Sequence, residues 1–222
     1  MVNNNYIFQK KYKMLLTILA VLLLVFIDKI VPPYGIPIAL ILIIVLFKLQ
    51  KQPIKGLGLY KPDKWLKVII IGFATAVFIQ IIGIYIFPSF FEWLKLPDAD
   101  FSTYKEIEGN NSMLIIYMIV SWTTAGFGEE LIFRGFLMKQ ITAFFDKSKF
   151  KWIFSLIITS VIFGLIHYNN GLEAIILTTF SGLVLGLVYL KTNHNIWASY
   201  FAHAITDTIA FMLIYTGLYN FL

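Results

Sequence analysis

The sequence predicts an all-α fold: a polytopic transmembrane helical bundle of about seven spans with a polar intramembrane cavity. Three observations predict it. Hydrophobic residues make up 59% of the 222-residue chain and charged residues only 14%, against about 25% charged in soluble domains. Mean hydropathy is +0.80. The apolar residues gather into about seven runs, roughly 14–31, 34–47, 66–87, 113–138, 152–168, 172–190 and 196–216, most of them near the ~20 residues a helix needs to cross a bilayer.

The first run follows Lys10, Lys11 and Lys13, as a signal peptide would. No small-residue cleavage site follows, so a retained first helix is expected, with Asp28 and Lys29 at its outer end. Pro32, Pro33 and Gly35 predict a tight turn into the short second run. A basic loop, 48–67, leads to the third run and contains Gly56-Leu57-Gly58-Leu59 and Trp65. The loop 88–112 carries Glu92, Asp98, Asp100, Glu106 and Glu108 against Lys95 and Lys105. The fourth run ends at a second basic loop, 139–151, with Lys139, Lys147, Lys149 and Lys151. Glu173 opens the sixth run, where a negative charge suits the helix dipole. His194, in Lys-Thr-Asn-His-Asn before the last run, is expected to be solvated. Phe144, Phe145, Trp152 and Trp197 are expected as interfacial anchors.

Basic loops alternate with the acidic one, as lysine retention on the cytoplasmic side requires. The N-terminus is therefore expected in the cytoplasm and the C-terminus outside. This distribution accounts for the net charge of +6 without nucleic acid, and Lys48, Lys51 and Lys55 are placed to touch anionic headgroups. With no cysteine, there is no disulfide, thiolate metal site or thiol nucleophile. No soluble domain or short repeat is visible, so residues 1–112 and 113–216 are expected to form one integrated bundle. The lysine, isoleucine and asparagine bias points to a bacterial plasma membrane.

The ionisable groups left at depth are Glu129, Glu130, Arg134, His167, His203 and Asp207. Arg134 is the single arginine beside seventeen lysines, and its planar fork of donors is not something lysine can replace. Intramembrane charges are costly and face a partner or a cavity. Glu130 and Arg134 are spaced i, i+4 and share a helix face. Glu129, about 100° away, is expected to face a cavity. His203 and Asp207 are also i, i+4, as are Phe163 and His167. Gly126, Gly128 and Gly135 would let neighbouring helices approach closely. Counting about 1.5 Å per residue from the basic loops puts Glu129 about 15 Å, His167 about 22 Å and His203 about 11 Å deep. These depths suit a mid-depth site open to the cytoplasmic side.

Glu129-Glu130-x-x-x-Arg134, Phe163-x-x-x-His167 and His203-x-x-x-Asp207, in that order on three apolar runs, resemble the motifs of the CPBP family. These are the CAAX prenyl endopeptidases and bacteriocin-processing or immunity (Abi) proteins. The matching region runs from about 113 to 216, and the Gly56–Leu59 segment with Trp65 resembles the run-in of bacterial members. The resemblance implies an intramembrane endopeptidase acting on a membrane-associated peptide or protein, in CAAX or bacteriocin maturation, signal-peptide maturation or self-immunity. It implies Glu129 and His167 as activators of water, and His203 with Asp207 as stabilisers of the oxyanion. Glu130 and Arg134 would hold the site in shape. Members of the family more often have Asn where this chain has Asp207, and an ionised Asp207 would orient His203 by accepting its N–H.

Three alternatives stand beside this reading. Zinc could be held by Glu129, His167, His203 and Asp207, which are suitable ligand types. The His-Glu-x-x-His pattern of many zinc peptidases is absent, so no cofactor is favoured. A non-catalytic immunity or scaffold protein could keep the polar core to bind a partner. A proton-coupled transporter would favour inverted repeats, and none is visible.

Overall fold

The structure is a computed structural model, and it describes residues 4–28, 34–49 and 51–218. Among these residues it is helical throughout, without a strand. The Pro32–Pro33 turn and Lys29 lie outside the described residues, as do the side chains of Lys10, Lys11, Lys13 and Asp28.

Helices α1 (Asn4–Asp28) and α2 (Gly35–Leu49) pack as a pair. A 3₁₀ turn, Ile54–Leu57, precedes α3 (Trp65–Tyr85), which continues almost without a break into α4 (Phe87–Leu94). A short 3₁₀ segment, Ser102–Ile107, lies in the acidic loop. One long helical stretch then runs from 111 to 144. It is α-helical over α5 (Asn111–Val120) and α6 (Met138–Phe144), and π-helical over Ser121–Glu129 and Leu131–Leu137 between them. The bundle is completed by α7 (Lys151–Leu165), α8 (Leu172–Lys191) and α9 (Ile196–Tyr215). These elements fall on the apolar runs read from the sequence.

Two of these elements, Trp65–Leu94 and Leu172–Lys191, are long and apolar enough to cross a membrane by length and composition. Shorter apolar helices cover Met14–Ile27, Gly35–Leu49 and Lys151–Leu165. Large aliphatic side chains face outward on several helices, among them Ile38 and Ile41 on α2, Ile115 and Ile119 on α5, and Ile153 and Ile157 on α7. An apolar outer surface of this extent marks a contact with another apolar phase.

Glycines set the close helix approaches. A methyl at Gly72 on α3 would meet Phe201 and Ala202 of α9, and one at Gly126 would meet Ala204 at 3.1 Å. The N-terminal helices are thus packed directly on the C-terminal ones, in one bundle.

The bundle has two chemically distinct ends. At the lysine-rich end, the Lys139 ammonium donates to the Gly56 carbonyl and Asn195 Nδ2 donates to the Tyr60 carbonyl at 3.0 Å. Gly58 takes φ +84°, and a Cβ there would lie 2.6 Å from the His194 carbonyl oxygen. Leu57 is fully buried, its carbonyl pressed against Gly135. His194 differs from the sequence expectation. It is half-buried, with its ring 4.3 Å from that of Trp152, because the turn at Asn193 and His194 is left-handed (φ 56° and 64°) and folds the imidazole inward. Burial, and then the nearby Lys139 charge, hold its pKa below the usual histidine value. At the acidic end, residues 98–107 form a strap. Ala99 N–H donates to Glu173 Oε2 (3.1 Å), Asp100 N–H donates to the Asn170 carbonyl (2.9 Å), and Asn170 Nδ2 donates back to the Asp100 carbonyl (2.7 Å). Glu173 is thus occupied in holding the strap.

Candidate active site

Four helical elements bring the polar residues together. Thr123 and Thr124 start the local account. Their hydroxyls donate to the carbonyls of Ile119 (2.6 Å) and Val120 (2.7 Å). Hydroxyls bonded back in this way compete with the helix's own N–H groups and loosen its winding. The helix here widens into the π form, which recurs at functional positions. Glu129 closes the first π run, and Arg134 lies within the second.

Glu130 is completely buried, and its Oε1 lies 2.7 Å from Arg134 Nη1. This is the i, i+4 pair expected from the sequence. Arg134, 2% exposed, also donates from Nη2 to the Gly182 carbonyl at 3.1 Å, and its guanidinium lies 4.7 Å from the centre of the Phe163 ring. Glu130 Oε1 has a further partner in His203 Nδ1, at 3.2 Å. The adjacent Ser199 donates instead to the Ile196 carbonyl (3.0 Å), and Glu130 Oε2 has no hydrogen-bond partner.

Phe163 is the hub of the three motifs. Its ring packs against Phe133 (5.1 Å), His167 (5.3 Å) and His203 (5.6 Å), besides Arg134. His167 lies just beyond the end of α7, and its Nδ1 contacts the Phe163 carbonyl at 2.8 Å. A carbonyl only accepts, so Nδ1 carries the proton, and in the neutral ring Nε2 keeps its lone pair. His203 is fixed in the same sense. Its Nδ1–H donates to Glu130, and Nε2 is turned toward Asp207 Oδ2.

That last contact corrects an expectation. His203 Nε2 and Asp207 Oδ2 are 3.8 Å apart, too far for a hydrogen bond. Asp207 Oδ2 accepts instead from Ser121 Oγ at 2.7 Å, and Glu130 is the residue that orients His203. Ser121 comes from the start of the first π run, 86 residues away in sequence. One residue along, Trp122 Nε1 donates to Thr208 Oγ1 at 3.0 Å, tying the same two helices again. Glu129 is 5% exposed and lies within electrostatic reach of Arg134, His203 and Asp207, as His167 does of Asp207.

The site is partly exposed beside the acidic strap. The Asp207 side chain keeps 25% exposure, and His167, half-buried, stands beside the strap-bearing Asn170. Toward the lysine end, Ile132, Phe133, Phe136 and Leu137 close the core. The cavity of about 490 Å³ at the lysine-rich end is lined by Lys139, Lys151, Trp152 and His194, and it is remote from Glu129. Among the described residues, no three His, Cys, Asp or Glu side chains come together to hold a metal ion. His203 Nδ1 on Glu130 and His167 Nδ1 on a carbonyl leave Nε2 of both rings available, the arrangement that metal-ligating histidines commonly show.

Residues 111–209 match the family of type II CAAX prenyl endopeptidase Rce1-like proteins. This match is to the type II CAAX prenyl endopeptidase branch of the family that the three motifs resemble. The chain is also 31% identical over 107 residues to "Putative membrane peptidase YdiL" of Bacillus subtilis (strain 168), a match covering 48% of this chain and 41% of that protein. No solved structure matches. The matched region contains all three motifs and ends just past Asp207. It includes Ser121 and Gly182, which reading by spacing did not find.

Proposed function

We propose that this protein is an intramembrane endopeptidase that cleaves a membrane-associated peptide or protein, with water activated by Glu129 and His167. The supporting observation is the division between two adjacent glutamates. Glu130 Oε1 is shared between Arg134 and His203, while Glu129 lies within reach of the same histidine and of Asp207. A buried network of this kind fixes the geometry that amide hydrolysis needs: a base for water, a donor for the oxyanion and an acid for the leaving amine. In this reading Glu129 takes a proton from water as oxygen adds to the scissile carbonyl, and His167 Nε2 accepts a hydrogen bond from the same water. His203, as imidazolium, presents Nε2–H to the oxyanion. When the C–N bond breaks, Glu129 returns the proton to the amine.

Residues 113–216 form the catalytic core of this reading and residues 1–112 its N-terminal helices. We read the chain as crossing the membrane about seven times, with the lysine-rich end in the cytoplasm of a bacterium. That orientation puts the strap end, and substrate entry, on the outer side. The bilayer and a peptide substrate are its partners, with no cofactor required.

The test is cleavage of a quenched peptide library, plain and prenylated, by purified protein in detergent. Wild type runs beside Glu129→Ala, each with and without a strong chelator. Cleavage that survives chelation and is absent from the variant supports the glutamate–water reading. Loss on chelation with rescue by zinc replaces it with a metalloprotease. No cleavage by folded wild type, with every peptide, moves the assignment to the immunity or scaffold reading.

A further inference from the structure

Asp207 leaves one part of the chemistry unsupplied. A carboxylate accepts hydrogen bonds and donates none, and Asp207 already accepts from Ser121. When Asp207 is ionised, a second donor to the scissile carbonyl, beside His203 Nε2–H, comes from another residue. The strap carries one. Tyr104 lies in its 3₁₀ segment and is half-buried. Its ring packs against Phe211 of α9 and Tyr117 of α5, with centroids 5.7 Å away in both cases. Phe211 follows Asp207 by four residues on α9, one turn further toward the acidic end. Tyr104 thus closes the site from the side on which Asp207 is still exposed. Burial, and then the carboxylates of Asp207 and Glu129, push its phenol up to about 12. The phenol therefore keeps its proton.

Three contacts hold the strap in this position. Two run between Asp100 and Asn170 and one from Ala99 to Glu173, so both anchors sit within six residues of His167. Tyr117, the aromatic neighbour of Tyr104, is fixed by donating to Glu106 Oε1 at 2.7 Å. A loose loop would not need this much fastening.

We propose that Tyr104 is a further catalytic residue of the endopeptidase: its phenol O–H, carried over the Asp207 side of the site by the 98–107 strap, donates a hydrogen bond to the scissile carbonyl oxygen as that oxygen becomes an oxyanion. The inference rests on the endopeptidase reading above. No proton leaves Tyr104 in the step. Water oxygen bonds to the carbonyl carbon, the water proton goes to Glu129, and negative charge gathers on the carbonyl oxygen between Tyr104 Oη–H and His203 Nε2–H. Collapse of the intermediate breaks the C–N bond and passes the Glu129 proton to the amine, while Tyr104 ends as it began.

The experiment compares kcat and KM for wild type, Tyr104→Phe and, as a control, Tyr85→Phe, whose ring is 72% exposed on the far part of α3. Removing one oxyanion donor costs about 10²–10³-fold in kcat, so Tyr104→Phe should lose about that factor with KM little changed. The control should stay within about twofold of wild type on the same scale. A Tyr104→Phe enzyme with wild-type kcat overturns the proposal, and so does a loss confined to KM. A second measurement does not depend on turnover. With 3-fluorotyrosine at position 104, the fluorine resonance is titrated in wild type and in Asp207→Asn. The phenol should ionise at lower pH once the carboxylate is gone, and an unmoved titration overturns the proposal. If wild type cleaves nothing, the endopeptidase reading fails, and the fluorine titration still decides whether Tyr104 faces the site.

Discussion

The site has an inner half and an outer half, and they solve opposite problems. The inner half is Glu130, Arg134 and the Nδ1 side of His203. It is sealed from solvent, and two hydrogen bonds and an ion pair spread the two charges over Gly182, His203 and each other. The outer half is Asp207, Ser121 and His167; Asp207 and His167 are partly exposed, and 3.8 Å separates His203 from Asp207. The difference teaches why two glutamates stand side by side. Neighbours on one helix point in different directions, so a single dipeptide supplies one carboxylate that holds the site and, in the endopeptidase reading, one for work on a substrate. Packing distinguishes them where residue type does not.

The largest effect should come from breaking the inner half. Arg134→Ala leaves Glu130 buried with its countercharge removed, which typically costs about 3–5 kcal/mol. The measurement is folded yield and thermal stability in detergent, and a variant as stable as wild type would dissolve the distinction between the halves. Arg134→Lys sharpens it. The charge remains but the fork that reaches both Glu130 and Gly182 is lost, so stability should fall by less than with alanine. Next comes the working carboxylate. Glu129→Ala should cut kcat by about 10²–10⁴, the range for a general base, with the melting temperature nearly unchanged. If it unfolded the protein as Arg134→Ala should, both glutamates would be structural.

A smaller effect is expected at Ser121. Ser121→Ala leaves Asp207 Oδ2 without its donor, and an unsatisfied buried partner typically costs about 1–3 kcal/mol. Because the outer half is partly exposed, water will recover some of this, and the loss should sit at the low end. Double substitution with Thr208→Ala, which removes the Trp122 bond, should show coupling, since both contacts tie the same pair of helices. The smallest effect lies away from both halves. His194 has its pKa lowered by burial and then by Lys139. A lowered histidine pKa means the folded state favours the neutral ring, so its contribution is complete above about pH 6.5. It is lost as the pH falls through that value toward the folded pKa. Melting temperatures at pH 7.5 and 5.5, compared between wild type and His194→Gln, should show a weaker acid dependence in the variant.

Much of this was legible in the residues. The apolar runs located the helices because a lipid-facing segment must be apolar over its length. The i, i+4 spacing placed Glu130 against Arg134 because both lie on one helix. The rest depends on contacts between distant segments, which spacing does not encode. Glu130 reaches His203 across 73 residues and Arg134 reaches Gly182 across 48. Ser121 gave no signal because hydroxyls in apolar helices usually bond back to their own carbonyls, as Thr123 and Thr124 do. Tyr104 sat in a loop read only for its charge. The depth count fixed distances from one end and held no information on the strap at the other.

The π-helical winding from Ser121 to Leu137 has a consequence for how the gene can change. A π turn holds more residues than an α turn, so this stretch carries surplus length that the regular helices on either side do not. Deleting one residue between Ser121 and Glu129 would let the chain relax into ordinary winding, with the loss taken up inside the π run. The same deletion in α5 would instead turn everything beyond it by about 100° relative to the rest of the bundle. A single-codon deletion is therefore absorbed most readily in the stretch between Ser121 and Glu129, and re-aims half of the site at once when it falls in the regular helix before it.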